Sequence, residues 1–268
     1  MSTSVSDIRI DVNPRNPGQF FACCGLLELA SRRWPESEGW FQGSGNRTVF
    51  HIETKSTEND PLGKIVQILC KCVNLVKIAQ DDGIQNLQAD RQPIVLLPFD
   101  LRLDWWLDAY GEGDKSELKV WAGQQTPFRL INNMREAWRA VTACTADATS
   151  SAKLLAERAP TSGRFGFDPA ASWEALDVGF SPDEQGVPVL TSPATEILAA
   201  VGLQRCRPYP VAGKPRWFAY HIWRSPLDIT VAAAAVAGHG CAAERFAFPV
   251  VMRNPQYGTF GWANPLDD

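Results

Sequence analysis

The segment from Asp7 to Trp34 constrains the fold more than any other part of this chain. Between Asp7 and Val12, apolar Ile8, Ile10 and Val12 alternate with Asp7, Arg9 and Asp11. That period of two marks a strand with one buried face. Within the next few residues the chain changes character. Asn16-Pro17-Gly18-Gln19 has the form of a helix start: Asn16 supplies a capping side chain, Pro17 suits the first helical position, and Gln19 can reach back as in a capping box. After it Phe20, Cys24, Leu27 and Trp34 fall on one helical face, Arg32 and Arg33 lie near the C-terminal end, and Pro35 ends the helix. A strand is thus delivered almost directly into the N-terminus of an apolar helix.

The pattern continues with "GWFQGSGNRTVFHIET", two strand-like runs joined by a glycine-rich hairpin signal. Asn59-Asp60-Pro61 opens a second helix, with Ile65, Ile68, Leu69, Cys72, Val76 and Ala79 as its apolar stripe. "QPIVLLPF" reads as a strong strand, and "DLRLDWW" keeps strict alternation beyond it. The order over residues 7–99 is β-α-β-β-α-β, the ferredoxin-like motif of RNA-recognition folds. The expected class is α+β: a ferredoxin-like (RRM-like) domain with a helical extension over 7–159, and an irregular α+β part over 160–268. "DAYGEGDKSE" reads as a charged loop. "PFRLINNMREAWRAVTACTAD" reads as a helix with Phe128, Ile131, Met134, Trp138 and Val141 facing the core. The turn-rich "RAPTSGRFGFDPAASW" supplies a soft boundary near Pro160.

Hydrophobic residues make up 45% of the 268-residue chain, ordinary for a protein with a real core. No apolar run approaches the length of a membrane span, and the N-terminus lacks the basic-then-apolar order of a secretory signal. A cytoplasmic protein without membrane association is expected. Cys23, Cys24, Cys70 and Cys72 lie within apolar segments, and the odd total of seven argues against a complete disulfide framework. Cys70/Cys72 and His239/Cys241 lack a matching second pair, so neither a metal nor another cofactor is expected.

The net charge of −4 is the wrong sign for a free-standing nucleic-acid binder. Yet the segment Ile197–Leu227 holds no acid, while carrying Arg205, Arg207, Lys214, Arg216 and Arg224 interleaved with Tyr209, Trp217, Phe218, Tyr220 and Trp223. Basic and aromatic residues together suit phosphates and base faces; a solvated loop and a strand with inward aromatics is the alternative. Around the start of the helix near Pro127 lie Gln124, Gln125, Asn132 and Asn133, with Arg129, Arg135 and Arg139. Amides can read adenine edges, and arginines can read guanine or phosphate, although a helix capped by Thr126 would show the same polar face. The Asn13–Gln19 loop, with Asn13, Arg15 and Gln19, offers a third surface, whose helix N-terminus could hold a phosphate. Asn16 is set aside there, because capping occupies its side chain.

Catalytic signatures are missing. His51, His221 and His239 are scattered, and no nucleophile elbow, P-loop, dinucleotide fingerprint or zinc-protease motif occurs. Asp104 and Asp108 flanking "WWL" suggest a solvated edge more than a carboxylate pair. No catalytic residue is assigned.

"NPGQFFACCGLLELASRRWP", "LPFDLRLDWW", "VWAGQQTPF" and "RFGFDPAASWEALDVGFSPDEQG" resemble CRISPR-associated proteins of type I-U (I-G) systems, in the same order from about residue 8 to 225. In particular they resemble the small component that stands in for a large subunit in the Cascade effector. The resemblance implies a non-catalytic subunit of an RNA-guided antiviral surveillance complex. Its implied partners are guide RNA, target DNA, the backbone and guide-processing subunits, and a transiently recruited helicase-nuclease. A guide-RNA-processing endoribonuclease on the same fold and an unrelated small-molecule enzyme are the alternatives. The first helix holds no histidine, tyrosine or lysine for phosphodiester cleavage.

Overall fold

The computed structural model describes residues 7–78, 88–107, 115–144, 153–171, 190–254 and 257–266. They form an α+β fold of several small antiparallel sheets and five α-helices. β1 (Ile8–Val12) leads into α1 (Pro17–Arg33), and the hairpin β2 (Glu38–Gln42) and β3 (Thr48–Glu53) follows. Asn16 caps α1 as its sequence predicts, its side chain accepting the Gln19 N–H. Pro17 occupies the first turn.

The strand order of the first sheet is β1-β3-β2, as in three strands of a ferredoxin-like sheet. The strand expected fourth, within "QPIVLLPF", does not join that sheet. α2 (Pro61–Gln67) runs into a π-helical turn, Ile68–Cys72, and the chain then extends as β4 (Asn74–Lys77). β4 pairs with β5 (Ile94–Leu97), the strand expected fourth, which pairs in turn with β6 (Leu101–Leu103), and none of the three joins β1. The helical stripe expected to continue to Val76 and Ala79 therefore stops early. Val76 lies exposed on β4, and Ala79 falls outside the described residues. The carbonyls left open where the helix unwinds are taken from another element. Arg135 donates to Leu69 O and Cys70 O, and Arg139 to Cys70 O.

Both of those arginines stand on α3 (Pro127–Cys144), the helix expected there, with Ile131, Met134 and Trp138 buried. The short pair β7 (Ala159–Pro160) and β8 (Leu190–Thr191) leads into α4 (Pro193–Gly202). β9 (Tyr209–Pro210), β10 (Trp217–Trp223), α5 (Ile229–Val236), β11 (Ala242–Asn254), β12 (Tyr257–Phe260) and β13 (Asn264–Leu266) complete the chain. The region expected to be irregular holds the largest sheet, ordered β12-β11-β10-β9 with β13 also on β11. Its strands escape pattern reading because β10 is buried at nearly every position, and because β11 contains Pro249 and an irregular register. The element order β-α-β-β-α-β occurs in it a second time, from β8 to β11.

The core explains why the first segment is so constrained. α1 is not amphipathic: every residue from Phe20 to Ala30 is buried. Phe20 and Phe21 meet Tyr220, Phe41 and Phe248, on strands of the first and the largest sheets. α4 is buried along its whole length. The two helices approach so closely at glycines that a Cβ on Gly25 would come within 1.9 Å of Leu198 O, and one on Gly202 within 2.0 Å of Phe21 O. Backbone thus packs on backbone at the centre of the molecule. The expected boundary falls on β7, and apolar packing runs across it as one continuous cluster. Large indoles fill the remaining volume with their N–H groups satisfied: Trp105 donates to Ala200 O, Trp121 to Asp90 O and Trp223 to Gly39 O. Among the described residues no helix is long and apolar enough to cross a membrane.

Candidate nucleic-acid interface

The three polar surfaces singled out in the sequence meet different fates. The Asn13–Gln19 loop is consumed by the fold. Asn13 N–H donates to Gln19 Oε1 at 2.8 Å, and Arg15 N–H to Asn13 Oδ1 at 3.0 Å. Asn16 Nδ2 donates to the buried carboxylate of Asp168 at 2.8 Å. Tyr220 Oη donates to Pro14 O, and a Cβ on Gly18 would lie 2.6 Å from Phe167 O. The 166–168 segment therefore lies where an anion at this helix N-terminus would have to sit. Phosphate binding by the loop backbone is withdrawn, since its neighbour is protein.

That segment is held from both sides. Glu196, in the first turn of α4, accepts the N–H groups of Gly166, Phe167 and Asp168 at 2.9, 3.2 and 3.3 Å. Complete burial pushes its carboxyl up to about 6, against the pull of the Arg164 charge and of those N–H donors. Asp168 accepts from Asn16 and from Ala170 N–H, with Arg158 at 3.5 Å. Two buried acids thus fasten one strip of backbone between the starts of α1 and α4. "NPGQF", "RFGFDP" and "SPATE" carry these contacts, and sequence reading missed that they form one junction. The rest of the resembling string, from Ser172 onward, lies outside the described residues.

The amide cluster at α3 is partly spent. Arg135 is buried on the Leu69 and Cys70 carbonyls of the π-helical turn and has Asn132 Oδ1 as a further acceptor. Asn133 Nδ2 donates to Ser162 Oγ. Gln125 is half-buried beside Gly163. Thr126 caps the helix by accepting the Arg129 N–H. Of these amides and arginines Gln124, Arg129 and Arg139 stand exposed, and Arg139 also donates to Cys70 O. Arg135 is accordingly removed from the contact set: its guanidinium holds protein carbonyls in a site closed to solvent.

The basic segment divides in two. Arg205 donates to buried Glu28 at 2.5 Å, alongside Arg32. Burial pushes Glu28 up, but these two guanidinium partners outweigh it and hold the carboxyl below its ordinary value. Arg224 donates to Phe41 O and Gly43 O and pairs with Glu244. The stretch without acids is thus not without counter-charges, because Glu28 and Glu244 come from elsewhere in the chain. Arg207, Lys214 and Arg216 remain exposed. Among the described residues none of the three makes an ion pair, and Lys214 Nζ lies 5.1 Å from the centroid of the Trp217 ring.

Lys214 and Arg216 occupy the β9–β10 hairpin, closed by hydrogen bonds from Val211 N–H to Trp217 O and from Trp217 N–H to Lys214 O. Arg216 holds φ at +58°, a left-handed conformation that costs a side-chain-bearing residue about 1 kcal/mol or more. The histidines are not grouped: His51 stacks on Trp40, and His221 stacks on Tyr209. Asp104 is bound to Gln204 and Arg102, while Asp108 lies outside the described residues. Among the described residues no cluster of three or more histidine, cysteine or acidic side chains could hold a metal ion. No family model, no curated protein and no solved structure matches this chain.

Proposed function

We propose that this chain is a non-catalytic, nucleic-acid-contacting subunit of a type I CRISPR RNA-guided surveillance complex, working in the cytoplasm beside the backbone and guide-processing subunits. One observation carries the reading: the exposed hairpin that holds Lys214 and Arg216 with a tryptophan beneath, in a segment where Arg205 and Arg224 are neutralised and Arg207 stays exposed. A hairpin left basic and solvent-facing in a chain of net charge −4 suits a phosphate backbone supplied by an assembly. The N-terminal half is read as a ferredoxin-like unit whose fourth strand has moved to a neighbouring sheet. The β1-β3-β2 order supports that reading. Partner subunits would supply the remaining positive charge, and a separate helicase-nuclease the cleavage.

The test is purification of the tagged chain from its native operon, with identification of bound subunits and nucleic acid. Co-purification with guide RNA and backbone subunits is expected. Recovery of the chain alone overturns the reading, as does cleavage of guide precursor by the isolated protein, which would make it the endoribonuclease. A tightly bound metabolite in place of RNA would mark it as a small-molecule enzyme.

A further inference from the structure

The β9–β10 hairpin is not alone on its side of the molecule. Pro249 of β11 lies directly opposite Trp217 of β10, and Val250 N–H donates to Arg216 O. On the other edge of β11, Gly261 N–H donates to Pro249 O, and a Cβ on Gly261 would come within 2.8 Å of the Pro249 ring. The next residue, Trp262, is 44% exposed, the one tryptophan among the large hydrophobics left open to solvent in the described residues. Trp217 and the Gly261–Trp262 corner therefore flank Pro249 across two strand spacings, about 10 Å.

Arg15 completes the group. Ala263 N–H donates to Arg15 O, Arg15 Nε donates to Ala263 O at 3.1 Å, and a terminal guanidinium nitrogen donates to Asn264 Oδ1 at 3.2 Å. This fixes the Arg15 guanidinium against Ala263 and Asn264, the two residues after Trp262, with two of its five N–H groups taken. Arg15, the hairpin of Lys214, Arg216 and Trp217, and the Gly261–Trp262 corner are thus linked through Pro249 and Ala263 from three distant parts of the chain.

We infer that this face is a cradle for a short single-stranded stretch of nucleic acid. A base stacks on Trp262, and Arg15, Lys214 and Arg216 take the flanking phosphates. The inference rests on the nucleic-acid reading above and specifies its ligand. Stacking requires an unpaired base, since a duplex hides its base faces from a protruding indole. A guanidinium already held by Ala263 O and Asn264 loses little side-chain freedom on binding. The left-handed backbone at Arg216 keeps an arginine where glycine would sit without strain, consistent with a side chain retained for contact.

The test uses the full chain and fluorescein-labelled oligo-dT, oligo-U and a duplex of equal length, read by anisotropy over a salt series. Both single strands should bind more tightly than the duplex. Trp262→Ala should weaken single-strand binding by about 5- to 100-fold, with the salt slope unchanged and Trp262→Phe retaining most of the affinity. The Lys214→Ala, Arg216→Ala pair should lower the magnitude of the slope by about 1.4, since each phosphate contact to a single strand contributes about 0.7. Preference for oligo-dT would assign the cradle to displaced target DNA, and preference for oligo-U to guide RNA. A folded Trp262→Ala protein with wild-type affinity overturns the cradle, as does tighter binding of the duplex. In either case a complex that still carries guide RNA leaves the broader reading standing.

Discussion

Two polar regions of this molecule behave in opposite ways. The junction of Asn13–Gln19 with Gly166–Asp168 and Glu196 is rich in asparagine, proline, glycine and charge, as ligand sites often are. Apart from the Arg15 guanidinium, which is only partly engaged, its notable polar groups are answered by protein. The face of Lys214, Arg216 and Trp262 has a plainer sequence, and its charges and its indole are left to solvent. The density of motif-like residues marks where backbone groups must be satisfied, and only the unsatisfied remainder is available to a ligand.

The comparison breaks most sharply at Glu196. Removing it leaves three buried N–H groups without an acceptor, so Glu196→Ala should destabilise the protein by about 3–5 kcal/mol in urea unfolding. A loss under 1 kcal/mol would mean the junction is not the fastening described. Close in size, Gly202→Ala forces a methyl onto Phe21 O. It should cost about 3 kcal/mol by separation of the two central helices, readable as a lowered melting temperature.

A smaller effect comes with pH. Because burial raises Glu196 to about 6, the folded state binds its proton more tightly than the unfolded chain does. The stability this supplies is complete below the unfolded value near 4.5 and is lost as pH rises through 6. A shift of that size corresponds to about 2 kcal/mol. Relative to Glu196→Gln, wild-type stability should therefore fall between pH 4.5 and 7. Glu28, held below its ordinary value by Arg205 and Arg32, works in the other direction, and its contribution is lost on acidification. If the difference between wild type and Glu196→Gln is flat across that range, Glu196 is ionised throughout.

The smallest expected change in stability sharpens the other side of the comparison. Arg216→Gly removes the charge and relieves the left-handed backbone, at the cost of a more flexible unfolded chain. Thermal stability should stay within about 1 kcal/mol of wild type, while single-strand affinity falls and the salt slope drops by about 0.7. Unchanged affinity would leave Arg216 as a turn residue only.

Much of the local structure is legible without coordinates. The capped start of α1 at Asn16-Pro17, the β2–β3 hairpin and α3 with its apolar face follow from short-range rules, because caps, turns and periodicity act over a few residues. The first four elements, the start of α2 and the strand Ile94–Leu97 are of the same kind, but the strand Asn74–Lys77 between the last two reads as helix in the sequence. Where long-range pairing intervenes, legibility ends. Nothing near Asn74–Lys77 specifies that its partner is Ile94–Leu97 and not β1, and the apolar stripe of α2 runs on past the point where Arg135 unwinds its end. The buried strand β10 lacks alternation, so the largest sheet looks irregular in sequence.

The candidate site divides along the same line. Exposed Lys214 and Arg216 can be picked out by charge and aromatic interleaving alone. That Arg205 and Arg224 are neutralised, that Arg135 is buried on carbonyls, and that Arg15 and Trp262 join the hairpin depends on contacts between residues far apart in the chain. By itself the sequence determined the helix starts, the turns and an excess of local basic charge, because those are set by neighbours along the backbone. Only the tertiary structure decided which charges and hydrogen-bonding groups are left over, because their partners arrive from other elements once the core around α1 and α4 has closed.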